Sequence, residues 1–554
     1  MFRPKLFICL KDYSVNRFMR DVQSGIIVAI VAVPLAIAFA IASGLSPDKG
    51  LITAIIAGFL ISALGGSRVQ IGGPTGAFVV IVAGIVSTYG VEGLIAATFI
   101  GGIILSIFGL LGLGGVIKFI PYPVTVGFTS GIAVVIASTQ LKDFMGLSVG
   151  SIPSDFLEKM QVLLSAIPTY NIYAVLLSVS TIIITLGIQR LSKKLPSGLI
   201  VLSFLTFVTN TLSLPVETIG SVFGNISGCL SLPHFPTMNF MLIKEIFPAA
   251  LSIAVLAGIE SLLSAVVADG MIGGKHRSNT ELIAQGIANI GSSLFGGMPA
   301  TGAIARTAVN VHNGGRTPVA GIVHAVVLLL IMLIFSSLIK YIPLAVLSGL
   351  LMLVAYRMSE WKSFTMILKA PGSDQIVLII TFLLTVFVDL TAAIQFGVVL
   401  ASFLLIHRLS NTPNVSVVSN EITKAEGNSD VLDIASESLP KGVEVYEIVG
   451  PFFFGVATKF IDTVNSIENR PLVRILRMRN VLTIDATALN ALRTVVAEEK
   501  KHGVTLMISG VHSQPLTALE RSGLLNEIGM ENVFSNIDDA LAKAKNIITD
   551  KNSP

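Results

Sequence analysis

Charge is what this chain has least of. Of its 554 residues, 13% are Asp, Glu, Lys or Arg, about half the share found in soluble domains. With 53% hydrophobic residues and a mean hydropathy of +0.82, it reads as a polytopic membrane protein. Cysteine is nearly absent. Cys9 precedes the first apolar segment and Cys229 lies in a distant polar loop, so a disulfide framework is not expected and redox chemistry has little support. No G-x-x-x-x-G-K-[ST] occurs, which leaves ATP-driven pumping unsupported. No His/Cys cluster has metal-site spacing, so neither an enzyme nor a cofactor is expected, beyond Na⁺ as a coupling ion. A net charge of +4 is too small to argue for nucleic acid. No cleavable signal peptide is legible. Residues 1–21 mix Lys5, Lys11, Arg17 and Arg20 with Phe2, Phe7 and Phe18, the pattern of an amphipathic cytoplasmic lead-in.

What is present is apolar sequence, in segments near 22–43, 51–65, 74–88, 93–111, 121–140, 171–189, 197–213, 246–268, 281–294, 301–310, 317–339, 343–356, 375–388 and 391–407. The pattern predicts fourteen transmembrane segments over residues 22–408. Those at 74–88 and 301–310 are short of the ~20 residues a full span needs. Each follows a Gly-Gly pair, Gly72-Gly73 or Gly296-Gly297, so a strand-like lead and a half-helix are expected to complete the crossing. Irregular backbone survives at membrane depth only where it lines a cavity or is buried in protein. Basic residues cluster after the sixth, eighth and twelfth segments: Arg190, Lys193 and Lys194, then Lys275, His276 and Arg277, then Arg357, Lys362 and Lys369. They share a side with the basic N-terminus, which makes that side and both termini cytoplasmic.

The two halves repeat. Thr75 follows Pro34 by 41 positions, and Thr301 follows Glu260 by 41. Pro-Thr-Gly-Ala at 74–77 returns as Pro-Ala-Thr-Gly-Ala at 299–303. Seven segments per half, over about 22–213 and 244–408, put the second copy inverted relative to the first. Past residue 408 the composition changes. Residues 409–440 are polar and read as a linker or irregular leading strand. Residues 441–554 alternate strand and helix as a small soluble α/β domain: strands at 443–449, 472–478 and 505–509, and helices at 457–467, 488–500, 516–522 and 538–547.

The chemistry concentrates at the half-helices. Each helix N-terminus exposes free N–H groups and a partial positive charge. Two such ends facing each other form an anion site without a fixed cation. Thr75, Gly76 and Ala77 are expected at one end, and Thr301, Gly302 and Ala303 at the other. The glycines let an anion approach the backbone; the threonines cap the helices or donate a hydroxyl to the anion. Arg306 adds positive potential about a turn further on, or serves as a structural partner for a carboxylate or for carbonyls at a broken helix. Phe39, within two turns of the helix-breaking Pro34, walls the site or simply packs. Glu260 is the sole carboxylate deep in an apolar span. A charge there costs roughly a few to over ten kcal/mol, so it is expected to bind an ion, a proton or a partner charge. Ser264 stands one helical turn away. Together the two suit Na⁺ coordination or protonation. Asp269, at the cytoplasmic end of its helix near Lys275 and Arg277, is expected to form a solvated ion pair there rather than a gate, and Asp389 to sit at a turn or helix cap rather than at the midplane.

Several of these stretches resemble the SulP anion transporters. They are 257–269 (Ala-Gly-Ile-Glu-Ser-Leu-Leu-Ser-Ala-Val-Val-Ala-Asp), 278–289, 295–307 (Phe-Gly-Gly-Met-Pro-Ala-Thr-Gly-Ala-Ile-Ala-Arg-Thr), 33–40 and 71–78. The tail resembles the STAS domain typical of that family. The resemblance implies a 7+7 inverted repeat, a core domain moving against a gate domain, and a homodimer to which STAS contributes. Its substrates are sulfate, bicarbonate, chloride, oxalate or dicarboxylates, and an acid at the position of Glu260 implies Na⁺ or H⁺ symport. Related STAS antagonists carry a phosphorylatable Ser directly after an Asp. Here Asp485 is followed by Ala486 and then Thr487, so that switch is not expected.

The reading is therefore a multi-pass inner-membrane symporter of an inorganic anion, sulfate first, coupled to H⁺ or Na⁺ through Glu260. Bicarbonate or C4-dicarboxylate symport is the alternative within the class. Outside it stand an anion channel, against which a buried negative charge argues, and a STAS-based membrane regulator with a possible cytoplasmic protein partner, against which the twin half-helices argue.

Overall fold

The computed structural model describes residues 2–552 apart from 12, 116–120, 151–152, 154, 192–195, 225–227, 239, 389, 412–414, 419–438, 454–455, 458–459, 462–463 and 465–469. Lys193, Lys194, Asp389, most of the 409–440 linker and much of the expected 457–467 helix lie outside the described residues. The chain divides into two compact units, Met1–Ala401 and Ser402–Pro554.

In chain order the first unit contains α1 (Lys5–Cys9), α2 (Val15–Ala42), α3 (Pro47–Leu64), β1 (Gly72–Gly73), α4 (Gly76–Leu110), α5 (Tyr122–Met145), α6 (Phe156–Ala166), α7 (Ile172–Leu191), α8 (Ser197–Thr211) and α9 (Ile219–Phe223). Then come α10 (Phe240–Ile272), α11 (Ser278–Leu294), β2 (Thr301–Gly302), α12 (Ile304–His312), α13 (Val319–Ile339), α14 (Leu344–Met358), α15 (Trp361–Ile367), α16 (Gly372–Phe387) and α17 (Leu390–Asn411), the last of which crosses the boundary between the units. Every apolar segment has a helical counterpart. Segments 74–88 and 93–111 run on as α4, broken at Gly90, whose φ of 70° only glycine adopts cheaply. Eight described helical stretches are long and apolar enough to cross a membrane, and shorter apolar helices accompany them. α2 starts at Val15, where Ser14 Oγ accepts the Arg17 amide at 3.3 Å.

Two bundles form inside this unit. α4 packs on α10 and α11, and α2 and α3 pack on α13, with α12 against α10 and α2. Separately, α5 packs on α14 and α16, and α7 on α8 and α14. Each bundle thus draws helices from both halves of the chain, as an intertwined repeat requires. At the centre of the first bundle β1 pairs antiparallel with β2, Gly72 opposite Gly302 and Gly73 opposite Thr301. Polar side chains satisfy this irregular backbone. The Glu281 carboxylate accepts the amides of Gly66 (2.7 Å) and Ser67 (3.0 Å). Thr53 Oγ1 accepts the Met298 amide (2.8 Å), and Asn289 brackets Ala300 through both its amide and its carbonyl. The cost of unpaired backbone in an apolar interior is thereby avoided.

The second unit is a five-stranded sheet in the order β3 (Val415–Val418), β4 (Val443–Val449), β5 (Val473–Asn480), β6 (Thr505–Ser509) and β7 (Val533–Phe534). Its β4–β7 ladder is parallel, and β3 joins antiparallel at the edge. Helices α18 (Ala486–Lys501), α19 (Ser513–Arg521), α20 (Leu524–Ile528) and α21 (Ile537–Asn552) complete it. Asp485 caps α18 by accepting the Ala488 amide at 2.8 Å. Arg474 is buried between Glu499 and Glu444 and lies over the Tyr446 ring. Burial and the Tyr446 hydroxyl's bond to Glu444 push that phenol above its ordinary pKa.

Candidate functional site

Between the two bundles lies a cavity of about 460 Å³. One wall carries Pro34 and Phe39 of α2, Thr75 and Gly76 at the start of α4, Glu260 of α10, and Gly302 to Arg306 around the start of α12. The facing wall carries Thr129 of α5, Gln189 of α7, Ser197 of α8 and Arg357 of α14. Both helix N-termini therefore meet the same space.

The first end is open. Thr75 occupies the N-cap of α4 in extended conformation, yet its side chain makes no cap bond. Its hydroxyl donates instead to Glu260 Oε2 at 2.8 Å. The amides of Gly76 and Ala77 begin the helix and have no intrahelical carbonyl to bind. A Cβ on Gly76 would lie 2.9 Å from Met358 Sδ and 3.4 Å from Phe39 Cε1. Phe39 thus lies beside the first end and lines the cavity.

The second end is built differently from its copy, and three expectations change. The strand-like lead is Thr301–Gly302 rather than Gly296-Gly297, and Gly296 takes a turn with φ 70°. Thr301 neither caps a helix nor faces the cavity; fully buried, it donates to the Ala257 carbonyl at 3.1 Å. Ala303, not Thr301, is the N-cap of α12, and its amide is spent on the Ile71 carbonyl at 2.8 Å. The amides left at this end are those of Ile304, Ala305 and Arg306, before the first intrahelical bond, Thr307 N to Ala303 O. Gly302 lines the cavity, but its open side is filled: a Cβ there would lie 1.6 Å from Gln70 Nε2.

Arg306 is buried, and its guanidinium donates to the Pro74 carbonyl across the crossover. It makes no ion pair with Glu260 among the described residues, and its Nη1 has no hydrogen-bond partner. So it contributes positive potential beside both helix ends. Ser264 is fully buried one turn from Glu260, and its Oγ is unpartnered. Asp269 does not pair with Lys275 or Arg277. Its carboxylate accepts from the His276 amide and meets the His276 ring nitrogen, each at 2.7 Å.

Sequence reasoning missed the mouth of the cavity. Arg357 Nη2 donates to Gln189 Oε1 at 2.5 Å, and Gln189 Nε2 donates to Ser197 Oγ at 2.9 Å, tying three helices of the second bundle. It also missed His324, fully buried in α13 with both ring nitrogens unpartnered. The available signal was a polar residue inside an apolar run.

Comparisons with known proteins agree with this architecture. The Sulfate permease family model matches residues 18–381, and the STAS domain model matches 439–540. The "Putative sulfate transporter YvdB" of Bacillus subtilis (strain 168) is 41% identical over 96% of this chain and 98% of its own. The bicarbonate transporter BicA of Picosynechococcus sp. is 30% identical over 95% of this chain and 94% of its own. The structure of the murine Solute Carrier 26 family member A9 anion transporter in the inward-facing state superposes with a TM-score of 0.88 at 18% identity, covering 98% of this chain and 94% of that one. At that identity the likeness speaks for the fold.

Proposed function

The chain belongs to the sulfate permease family of anion transporters, and we propose that it is a secondary active symporter. Its substrate in this reading is sulfate or a related inorganic anion, coupled to H⁺ or Na⁺ through Glu260. The single observation that carries the reading is the 2.8 Å bond from Thr75 Oγ1 to Glu260 Oε2. A hydroxyl donates one proton at a time. While Glu260 is charged and empty, it holds that proton. Once Glu260 binds H⁺ or Na⁺, the hydroxyl turns to an anion lying against the amides of Gly76 and Ala77. Each ligand then improves the site for the other, which is the reciprocal coupling that symport needs. Ser264 assists the coupling ion. Arg306, Phe39, Gly302 and the α12 amides complete the anion's surroundings.

In the same reading fourteen segments cross the inner membrane as a 7+7 repeat with both termini cytoplasmic. The chain works as a homodimer, and the STAS domain regulates, dimerises or binds a partner rather than transports. Sulfate is favoured by the 41% identical relative. Bicarbonate is the second reading, favoured by the 30% identical one.

The test is uptake by purified protein in liposomes, with sulfate, bicarbonate, chloride, oxalate and C4-dicarboxylates offered under imposed Na⁺ or H⁺ gradients. Accumulation of one anion above equilibrium, driven by one cation gradient, is expected. Uptake that only equilibrates, whatever gradient is imposed, would make the protein a passive conductor.

A further inference from the structure

A second concavity lies away from the anion cavity. It is a groove of about 370 Å³ whose walls are wholly apolar, among them Ile56, Phe59 and Leu60 of α3, Phe295 after α11, Val326 of α13, and Leu230 from the preceding loop. Phe59 is 43% exposed and Val326 47%. In a membrane-spanning bundle that exposure is to hydrocarbon.

One end of the groove meets charge. Phe295 leads into Gly296, and a Cβ on Gly296 would lie 2.8 Å from Lys49 Nζ and 3.7 Å from His234 Cε1. The loop that carries Leu230 and His234 is fastened to this rim. Ser231 Oγ donates to the Phe295 carbonyl at 2.7 Å, and the His234 amide donates to the Leu294 carbonyl at 2.9 Å. Lys49 lies in the first turn of α3, on the same face as Ile56 and Leu60 by their seven- and eleven-residue spacing. At 1.5 Å per residue, Lys49 stands ~10 Å along the helix from Ile56. Among the described residues the Lys49 ammonium makes no ion pair.

A cation at a helix end, and an apolar groove starting about two turns deeper, match the two ends of one phospholipid. The headgroup layer beside the ~30 Å hydrocarbon core is roughly 5–8 Å deep. A lysine at that level attracts an anionic headgroup as a point charge. We propose that this groove binds one phospholipid with an anionic headgroup, its acyl chain filling the groove and its phosphate resting against Lys49 and His234. The position gives the lipid a structural consequence. α3 and α11 hold the stretch that leads into β2: Thr53 Oγ1 accepts the Met298 amide, and Ser292 Oγ donates to the Met298 carbonyl, each at 2.8 Å. A lipid wedged between α3, α11 and α13 braces the scaffold of the crossover.

The full-length chain, purified and stripped of lipid in detergent, is titrated with phosphatidylglycerol, phosphatidylcholine and, as a chain-free headgroup, glycerol phosphate. Bound lipid is counted by native mass spectrometry and stability is read by thermal melting. One phosphatidylglycerol per chain should be retained about fivefold more tightly than phosphatidylcholine, and it should raise the melting temperature. Lys49→Gln should remove that preference, a loss of about fivefold for phosphatidylglycerol, while Lys49→Arg keeps it. Val326→Trp, which fills the groove from its lipid-facing wall, should lower retention of both lipids; Leu230→Trp serves if that variant does not fold. Equal retention of the two lipids with no effect of Lys49→Gln would mean annular lipid only and overturn the site. So would unchanged retention in the folded groove-filling variant, or glycerol phosphate stabilising the protein as well as phosphatidylglycerol does.

Discussion

The tetrapeptide at 74–77 and its near copy at 299–303 read alike in sequence and do different work in the fold. In the first copy the strand ends at Gly73, Thr75 is the N-cap, and Gly76 opens onto the cavity. In the second, Thr301 and Gly302 are themselves the strand, and the helix starts at Ile304, so the whole motif sits two residues earlier relative to its helix. That offset buries Thr301 against Ala257 and fills the open side of Gly302 with Gln70. An inverted repeat thus supplies two helix ends but, among the described residues, one polar link to the carboxylate. In the proposed reading, substrate chemistry concentrates on the first copy, and mechanical support on the second.

The largest effect that sharpens this contrast is expected at Glu260, which bonds the first copy only. Glu260→Gln keeps an acceptor for Thr75 but can neither titrate nor bind a cation strongly. Gradient-driven accumulation in liposomes should disappear, while melting temperature changes little. Coupling free energies of roughly 1–3 kcal/mol, or 5–150-fold, set the scale of the loss. A variant that still concentrates substrate would remove Glu260 from coupling.

The two glycines come next. Valine at 76 places its branch among Met358, Ile136 and Phe39 at the anion's approach, against side chains that can yield. Equilibrium anion binding should fall tenfold or more, roughly the effect of losing one charge-assisted bond, in a protein that still folds. Valine at 302 collides with Gln70, which is itself held by its donation to the Ser261 carbonyl at 2.9 Å. The expected outcome there is a loss of stability of about 1–3 kcal/mol from overpacking, seen by thermal melting before any binding measurement. Equal behaviour of the two variants in both assays would erase the distinction between the copies.

The threonines repeat the contrast at smaller scale. Thr75→Val deletes the donor to Glu260 and should weaken the dependence of anion affinity on the coupling cation by about three- to tenfold, with Thr75→Ser restoring it. Thr301→Val deletes a buried bond to a backbone carbonyl and should cost about 1 kcal/mol of stability with the cation dependence unchanged. Anion binding titrated at several Na⁺ concentrations and pH values, alongside melting curves, separates the two. A reversed pattern would transfer the polar link to the second copy.

Much of this was legible before the fold was known. Fourteen apolar segments, two of them short and glycine-led, mark where the backbone must break, because glycine and proline interrupt both helix and hydropathy there. Glu260 and Arg306 stand out because charge is rare in such a sequence. Carbonyls at a broken helix were one reading for Arg306, but which carbonyl it meets, and the hydroxyl that meets Glu260, were not legible. Glu260 pairs with Thr75 and Arg306 with the Pro74 carbonyl, contacts that span 185 and 232 residues and depend on how the two halves interleave. The register of the second motif was hidden for a related reason. Matching tetrapeptides fix composition, whereas the pairing of Gly72 with Gly302 and Gly73 with Thr301 fixes which residue is strand and which begins the helix. Gln70, the residue that decides the fate of Gly302, carries no local signal.

The smallest expected effect belongs to Ser264, and it tests whether the first copy's link to Glu260 extends one turn further. Ser264 Oγ is fully buried and unpartnered, on the same helix face as Glu260. If it ligates the coupling ion beside the carboxylate, Ser264→Ala removes one neutral oxygen from a shell that keeps its charge. The loss should be modest, about three- to tenfold in apparent cation affinity, the range of a single neutral hydrogen bond or ligand, with the maximal uptake rate nearly unchanged. A purely structural serine predicts an effect on stability instead. An unpartnered buried hydroxyl costs free energy, so its removal would stabilise the fold and leave cation affinity alone. Uptake measured against Na⁺ concentration and against pH, together with melting temperature, distinguishes the two. Unchanged affinity for both cations with a raised melting temperature would confine the ion's protein ligands to Glu260 and the backbone around it.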